Sequence, residues 1–188
     1  MKRIVVYCGS AKGNDPVYAE AALALARLMV KQEIGLVYGG GNVGLMGIMA
    51  DEVLRLGGEV IGVIPQRLMD KEVGHTGLTE LFVVNDMHQR KAKMFELSDA
   101  CIALPGGIGT MEELFEAFTW SQLGFHIKPC GVLNINGYYD ALNAMMQHMV
   151  NTGFLKQLHK DQLLFDTDIA SLLGKIKIAT NEFGDKWW

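Results

Sequence analysis

The chain has 188 residues with 17 basic and 21 acidic side chains, a net charge of −4, and 49% of its residues are hydrophobic. This composition excludes a disordered chain, and a mild, evenly spread charge argues against a general nucleic-acid or membrane-surface binder. The length suits one domain spanning residues 1–188. No apolar run approaches the roughly 18 residues of a membrane span, and three cysteines without CxxC spacing predict free thiols in the cytoplasm.

Short apolar runs alternate with helical patterns along the chain. Runs that are apolar at every position indicate strands buried on both faces of a sheet. The predicted strands are Ile4–Cys8, Gly35–Tyr38, Val60–Ile64, Leu81–Val84, Ala100–Leu104 and Gly131–Leu133. Apolar spacing and capping residues predict helices from Pro16, from about Leu45 to Leu56, from Asp86 through Leu97, from Thr110 through about Leu123, and from Tyr138 to about Val150. This order predicts an α/β fold, a Rossmann-like doubly wound parallel sheet with helices on both faces.

Three glycine-rich turns follow predicted strands, at Gly9–Gly13, Gly39–Gly44 and Pro105–Thr110. The carboxyl ends of parallel strands share one edge of the sheet, where ligands of such folds bind. Glycine lets backbone N–H groups approach an anion, so the turns indicate a phosphate site that includes Gly9, Ser10 and Gly41. The alternative is that the glycines only make tight turns.

The second turn matches GxGxxG, but no acidic residue follows about 20 positions later, which argues against a hydride-transferring dinucleotide enzyme. There is no P-loop motif, no GxSxG elbow and no histidine pattern typical of zinc, so a metal site is not expected.

Charged residues lie near the predicted helix starts. Arg90, Lys91 and Lys93 occupy the first turns after Asp86, where cations are electrostatically misplaced unless an anion lies between them. Arginine suits phosphate better than lysine does, although a solvated helix face is the alternative. Glu113 follows the third glycine turn, and Thr110-x-x-Glu113 also resembles a capping box. The sequence therefore leaves Glu113 open as a helix cap or a reactive carboxylate.

Three long motifs together resemble the LOG family of cytokinin riboside 5′-monophosphate phosphoribohydrolases, whose members often have the name "lysine decarboxylase-like". The motifs are VYGGGNVGLMG at 37–47, MHQRK at 87–91 and PGGIGTMEE at 105–113. The resemblance extends over about residues 3–154, and the predicted helical tail, about 155–188, contains no recognisable motif.

The resemblance implies hydrolysis of the N-glycosidic bond of AMP or an N6-modified AMP to free base and ribose 5-phosphate. It implies Arg90 and Glu113 as the catalytic pair. It implies a phosphate loop formed by Gly107, Ile108, Gly109 and Thr110, which Gly106 precedes as a further binding residue. It also implies nucleotide contacts from Lys91 and Thr119 and an acidic nucleotide contact from Glu72. It further implies a homodimer with shared active sites and no metal or redox cofactor.

The chemistry of such a pair is coherent. Cleavage of a C1′–N bond builds positive charge on the ribose, which a carboxylate such as Glu113 stabilises while it orients or deprotonates water. Arg90 keeps its proton and so suits positioning and charge stabilisation better than acid catalysis. Two alternatives stay open. One is a molybdenum-cofactor carrier of the same fold, and the other is a pyridoxal-phosphate decarboxylase that uses Lys91 as its Schiff-base lysine.

Overall fold

The computed structural model describes residues 1–72 and 74–179, without the side chains of residues 70–72. The described residues form a seven-stranded sheet in the order β4-β3-β2-β1-β5-β6-β7, with every neighbouring pair parallel. The strands are β1 (Arg3–Tyr7), β2 (Gly35–Tyr38), β3 (Val60–Pro65), β4 (Glu80–Val84), β5 (Ala100–Ala103), β6 (Cys130–Leu133) and β7 (Leu163–Asp166). The predicted Rossmann-like parallel sheet is confirmed.

Helices cover both faces of this sheet. They are α1 (Pro16–Lys31), α2 (Gly44–Arg55), α3 (Gln66–Glu72), α4 (Met87–Glu96), α5 (Ile108–Gln122), α6 (Asp140–Asn151), α7 (Gln157–Asp161) and α8 (Ile169–Ile178). One core packs α1, α2 and α8 against alternate strand residues, and a second core packs α4, α5 and α6 against the others. None of the described helices is long and apolar enough to cross a membrane.

Local chemistry explains where two of the helices begin. Pro16 starts α1, and the Asp15 carboxylate accepts a hydrogen bond from the backbone N–H of Val17 at 3.0 Å. The Asp86 carboxylate caps α4 by accepting from the N–H of Gln89 at 2.8 Å, as the sequence predicted. This cap fixes the start of the helix that contains Arg90 and Lys91.

The C-terminal region differs from its predicted helical character. It contributes α7 and α8, but it also contributes β7, which pairs in parallel with β6. The four residues Leu163–Asp166 are too short a run to give a strand pattern, and they become a strand because β6 offers an unpaired edge. The predicted helix from Tyr138 starts at Asp140, after a 3₁₀ turn over Ile135–Gly137.

The strand order places a topological switch point between β1 and β5. From β1 the chain moves outward through β2, β3 and β4, and then returns to the other side of β1 as β5. Ligand crevices in open parallel sheets lie at such a point, outside the carboxyl ends of the strands. The first and third glycine-rich turns directly follow these two strands.

Candidate active site

The three glycine-rich turns meet at this switch point. The N–H of Gly9 donates to the carbonyl of Pro105 at 3.1 Å, and the N–H of Leu45 donates to the carbonyl of Gly9 at 3.0 Å. Gly44 has a φ of +60°, and a Cβ there would lie 2.3 Å from the carbonyl carbon of Ser10. Only glycine permits this approach, so the second turn needs Gly44 in order to pack against the first.

A cavity of about 240 Å³ opens between the turns. Seven of the residues that the sequence analysis selected lie in its wall, together with Cys8, Met46, Met87 and Glu112, to which no place in the site had been given. The seven are Ser10, Arg90, Gly107, Ile108, Gly109, Thr110 and Glu113. The position of Met46 just after the second glycine turn is the one sequence signal that could have placed a methionine in this wall.

The loop before α5 leaves backbone donors open at the cavity. A Cβ placed on Gly107 or Gly109 would meet nothing within 4 Å, so the space above the helix start is free. Gly107 is the N-cap, and no side chain caps the helix. The first N–H groups of an α-helix lack partners within the helix and attract anions. The geometry of this loop fits a phosphate.

The prediction that Thr110 starts α5 is wrong. The helix begins at Ile108, two residues earlier, because Gly107 has the extended backbone conformation of an N-cap. A Cβ on Gly106 would lie 2.1 Å from Thr110 Oγ1, so the threonine packs against the loop from within the first turn. Glu113 is consequently inside the helix and makes no capping hydrogen bond.

Arg90 is buried, at 7% exposure, and it is held by backbone carbonyls. Its Nη2 donates to the carbonyl of Gly39 at 2.9 Å, and its Nε donates to the carbonyl of Val63 at 3.2 Å. A Cβ on Gly39 would lie 1.9 Å from Nη2, so the second glycine turn is shaped to admit the guanidinium. A guanidinium has five N–H donors, which leaves Arg90 with donors for a ligand.

Glu113 faces the same cavity without a hydrogen-bond partner among the described residues. Burial raises the pKa of its carboxyl to about 7, against the lowering effect of Arg90. Glu112 and Glu116 raise this pKa as well, and Lys91 lowers it. A carboxyl group with a pKa near neutrality can both accept and release a proton under physiological conditions.

Cys8 lies in the cavity wall as a neutral thiol. Burial, followed by the charge of Glu113, raises its pKa well above the ordinary range. Because the thiolate is the nucleophilic form of cysteine, Cys8 is unsuited to attack a substrate. Glu113 and Arg90 are therefore the candidate reactive groups of this cavity.

The other predicted site residues whose side chains the structure describes lie outside this cavity. Lys91 is directed to Glu112 and Glu116 on α5. Gly41 forms an antiparallel bridge with Gly74, so its backbone pairs with another segment of the chain. Thr119 is exposed on α5, and the side chain of Glu72 lies outside the described part of the chain. Gly9 and Gly106 line a neighbouring cavity of about 280 Å³, which shares Ser10 and Gly107 with the first.

The cavity lies at the switch point of a parallel sheet that has helices on both faces, and this arrangement defines an α/β protein of the Rossmann type. The family described as "Possible lysine decarboxylase" matches residues 46–176. The chain belongs to this family, the LOG family of cytokinin riboside 5′-monophosphate phosphoribohydrolases, as its sequence motifs predicted.

Two relatives illustrate the relationship. A cytokinin riboside 5′-monophosphate phosphoribohydrolase of Arabidopsis thaliana is 45% identical over 98% of this chain and 85% of its own length. Its counterpart from Rhodococcoides fascians is 46% identical over 94% of this chain and 89% of its own length. Among solved structures, the molybdenum cofactor binding protein of Rippkaea orientalis has a TM-score of 0.70 at 22% identity, covering 94% of this chain and 96% of that one. That likeness concerns the fold alone.

Proposed function

We propose that this protein is an N-glycosidase that hydrolyses adenosine 5′-monophosphate, or its N6-modified cytokinin forms, to the free base and ribose 5-phosphate. The observation that supports this most directly is the pair Arg90 and Glu113, which face one cavity beside an open anion-binding loop without bonding to each other. The relatives at 45% and 46% identity bear the name of this activity.

In the proposed reaction the 5′-phosphate binds at the start of α5, on the N–H groups that follow Gly107. As the C1′–N bond breaks, its electron pair leaves with the base, and positive charge develops on the ribose. The Glu113 carboxylate stabilises that charge and takes a proton from the water whose oxygen bonds to C1′. Arg90 stays charged, orients the nucleotide with its free donors, and stabilises the negative charge of the departing base. The base nitrogen then takes up the proton that Glu113 received from water, which gives the free base and restores the carboxylate.

Chromatography of the reaction products tests this proposal. The purified protein is incubated with AMP and, separately, with N6-isopentenyladenosine 5′-monophosphate, and free base and ribose 5-phosphate are measured. Release of either base in equal amount to ribose 5-phosphate is the expected result. Folded protein that releases no base from either substrate would rule the hydrolase out and leave a nucleotide or cofactor carrier of the same fold.

A decarboxylase that depends on pyridoxal phosphate has little support. Its Schiff-base lysine would have to be an uncharged, free amine, whereas the Lys91 ammonium group is held by Glu112 and Glu116, whose hydrogen bonds raise its pKa against burial. Absence of imine absorbance near roughly 420 nm after addition of pyridoxal phosphate is the expected result.

We also propose that two copies form a dimer through the outer face of α5. Residues 108, 112, 115, 119 and 123 follow helical spacing and share that face. On it Ile108 is 85% exposed and Leu123 is 38% exposed. Thr119, implied as a nucleotide contact by the family resemblance, lies on this face outside its own cavity. A dimer through α5 would bring it towards the partner's nucleotide.

Sedimentation tests the dimer. We expect Leu123→Lys to shift the protein from dimer to monomer and to lower base release, because charge on an apolar interface is costly. Ile178 on α8 is 81% exposed on the other face of the sheet, so Ile178→Lys is a matched control that should stay dimeric. A monomeric wild-type protein with full activity would contradict a shared site.

The three buried free cysteines support a cytoplasmic location, which fractionation of the source cells tests.

A further inference from the structure

Lys91 follows Arg90 on α4 and is a second cation near the cavity. Its ammonium group contacts two glutamates of α5. Lys91 is buried, at 8% exposure, and its Nζ lies between two carboxylates of α5. It donates to Glu112 Oε1 and lies 3.1 Å from Glu116 Oε2. Burial opposes its charge, but the hydrogen bonds with the two glutamates prevail and raise its pKa. The cation is therefore fixed by α5.

We propose that Lys91 is a positioning residue for the hydrolysis, which locks α4 onto α5 and neutralises the two carboxylates on either side of Glu113. This inference rests on the proposed function, because it assigns Lys91 a role in the same site. It replaces the direct nucleotide contact that the family resemblance implied for this residue.

Helix geometry makes the arrangement effective. Successive residues of a helix point about 100° apart, so one turn of α4 sends Arg90 toward the sheet and Lys91 toward α5. Arg90 is bound to carbonyls of the second glycine turn and of β3. The two side chains together hold α4 to the sheet and to α5, which fixes the position of the guanidinium relative to Glu113.

Electrostatics gives Lys91 a second effect. The charged and titratable groups facing Glu113 are Arg90 and Lys91 from α4, Glu112 and Glu116 from α5, and Tyr7 and Cys8 from β1 and its end. Tyr7 and Cys8 are buried and neutral, because burial raises the pKa of both. Lys91 is thus the counter-ion that keeps Glu112 and Glu116 from pushing the proton affinity of Glu113 higher.

The test is the pH profile of kcat/KM for Lys91→Met, since methionine retains most of the side-chain volume. We expect the acid limb, the range in which activity falls as the pH decreases, to move up by about one pH unit. On the alkaline plateau kcat should fall several-fold with KM unchanged, because the guanidinium of Arg90 is no longer fixed relative to Glu113. Lys93→Met is the matched control. Lys93 lies on the same helix but pairs with Glu96 at its surface, so its loss should leave the limb in place.

A second variant keeps the proposal testable if Lys91→Met folds poorly. Glu116→Gln removes one of the flanking carboxylates and retains Lys91, so the acid limb should move down by about half a unit. The double variant Lys91→Met with Glu116→Gln should return part of the way to the wild-type midpoint. Movement of the limb in the same direction for both single variants would overturn the proposal.

Two further outcomes separate the possible failures. A Lys91→Met protein whose KM rises at every pH with an unmoved limb would show a direct substrate contact and overturn the positioning role. Titration of the ¹³C-labelled Glu113 carboxyl by NMR needs no turnover, and we expect its midpoint to rise in Lys91→Met. If the wild type releases no base, the proposed function fails, while this titration still decides whether Lys91 controls Glu113.

Discussion

Two glutamates, each beside arginine, behave in opposite ways in this fold. Glu52 on α2 accepts a hydrogen bond from Arg27 at 2.6 Å and two from Arg55 at 2.7 and 2.9 Å. These bonds, from Arg55 first and then Arg27, lower the pKa of Glu52 to about 2. The exposed side chains of Arg27 on α1 and Arg55 on α2 donate to both oxygens of this buried carboxylate. Glu52 therefore has a structural role, since it joins the two helices.

Glu113 on α5 is also under the influence of an arginine, yet burial raises its pKa to about 7. The guanidinium of Arg90 donates to the carbonyls of Gly39 and Val63, not to the carboxylate. The difference teaches that the direction of the donors decides the outcome more than the presence of a cation. An arginine anchored by backbone leaves both itself and its neighbouring carboxylate available to a substrate.

The largest expected effect separates the two glutamates by activity. Glu113→Gln should lower base release from AMP by about 10²–10⁴-fold, because an amide can neither accept the proton nor stabilise a developing cation equally well. Glu52→Gln is the matched control and should change kcat/KM by no more than about twofold at a temperature where it is folded. Product chromatography under single-turnover conditions measures both. Equal losses in the two variants would mean that Glu113 acts only through stability.

The next effect concerns the two arginines. Arg90→Lys should reduce kcat/KM by about 10–100-fold, since an ammonium group cannot bond both carbonyls and still present a fork to the nucleotide. The equivalent change in the structural cluster, Arg27→Lys, should leave kcat/KM within about twofold. Steady-state kinetics with AMP checks the contrast. If Arg90→Lys retains full activity, the planar geometry of the guanidinium has no part in the reaction.

The pH dependence of kcat/KM for the wild-type protein should show the difference between Glu113 and Glu52 without any mutation. Because the proposed reaction uses Glu113 as a carboxylate, kcat/KM should rise with pH through a midpoint near 7 and fall about tenfold for each unit below it. The limb should be shifted or lost in Glu113→Gln. Glu52 stays ionised through this range because its pKa is about 2, so Glu52→Gln should retain the wild-type midpoint. An acid limb near 4.5 would contradict burial as the factor that controls Glu113.

Much of this fold could be predicted from the sequence because its signals are local. Apolar runs at every position mark strands of a covered parallel sheet, and six of the seven strands gave such runs. The Asp86 cap also needs only its own helix. The seventh strand, β7, is four residues long and depends on the open edge of β6, so no pattern within those residues could reveal it.

The site was less accessible to sequence reasoning for the same reason. The Thr110-x-x-Glu113 pattern has the spacing of a capping box, but the loop geometry around Gly106 and Gly107 moved the helix start. The contacts of the Lys91 side chain depend on how α4 packs against α5, which no local sequence pattern indicates. The available backbone donors of the third glycine-rich turn, by contrast, could be inferred from its glycines.

The smallest expected effect concerns stability, and it has opposite signs for the two glutamates. The folded-state pKa of Glu113 lies above the ordinary value of 4.5, so its contribution to stability is full below pH 4.5 and is lost as the pH rises through 7. At pH 8 the ionised Glu113 should therefore cost about 1–2 kcal/mol, allowing for its partial exposure. Glu113→Gln should raise Tm at pH 8 by a few degrees, and by less at pH 5.

Glu52 has a lowered pKa, so its contribution is present above pH 4.5 and is lost as the pH falls toward 2. Glu52→Gln should accordingly lower Tm at pH 8, where Glu113→Gln raises it, and circular dichroism melts of both variants at pH 5 and pH 8 measure the difference. A Glu113→Gln protein that melts below the wild type at pH 8 would mean that the carboxylate is stabilised by its surroundings. Opposite signs would mean that the fold sacrifices stability to keep Glu113 unpaired, which is expected of a carboxylate retained for chemistry.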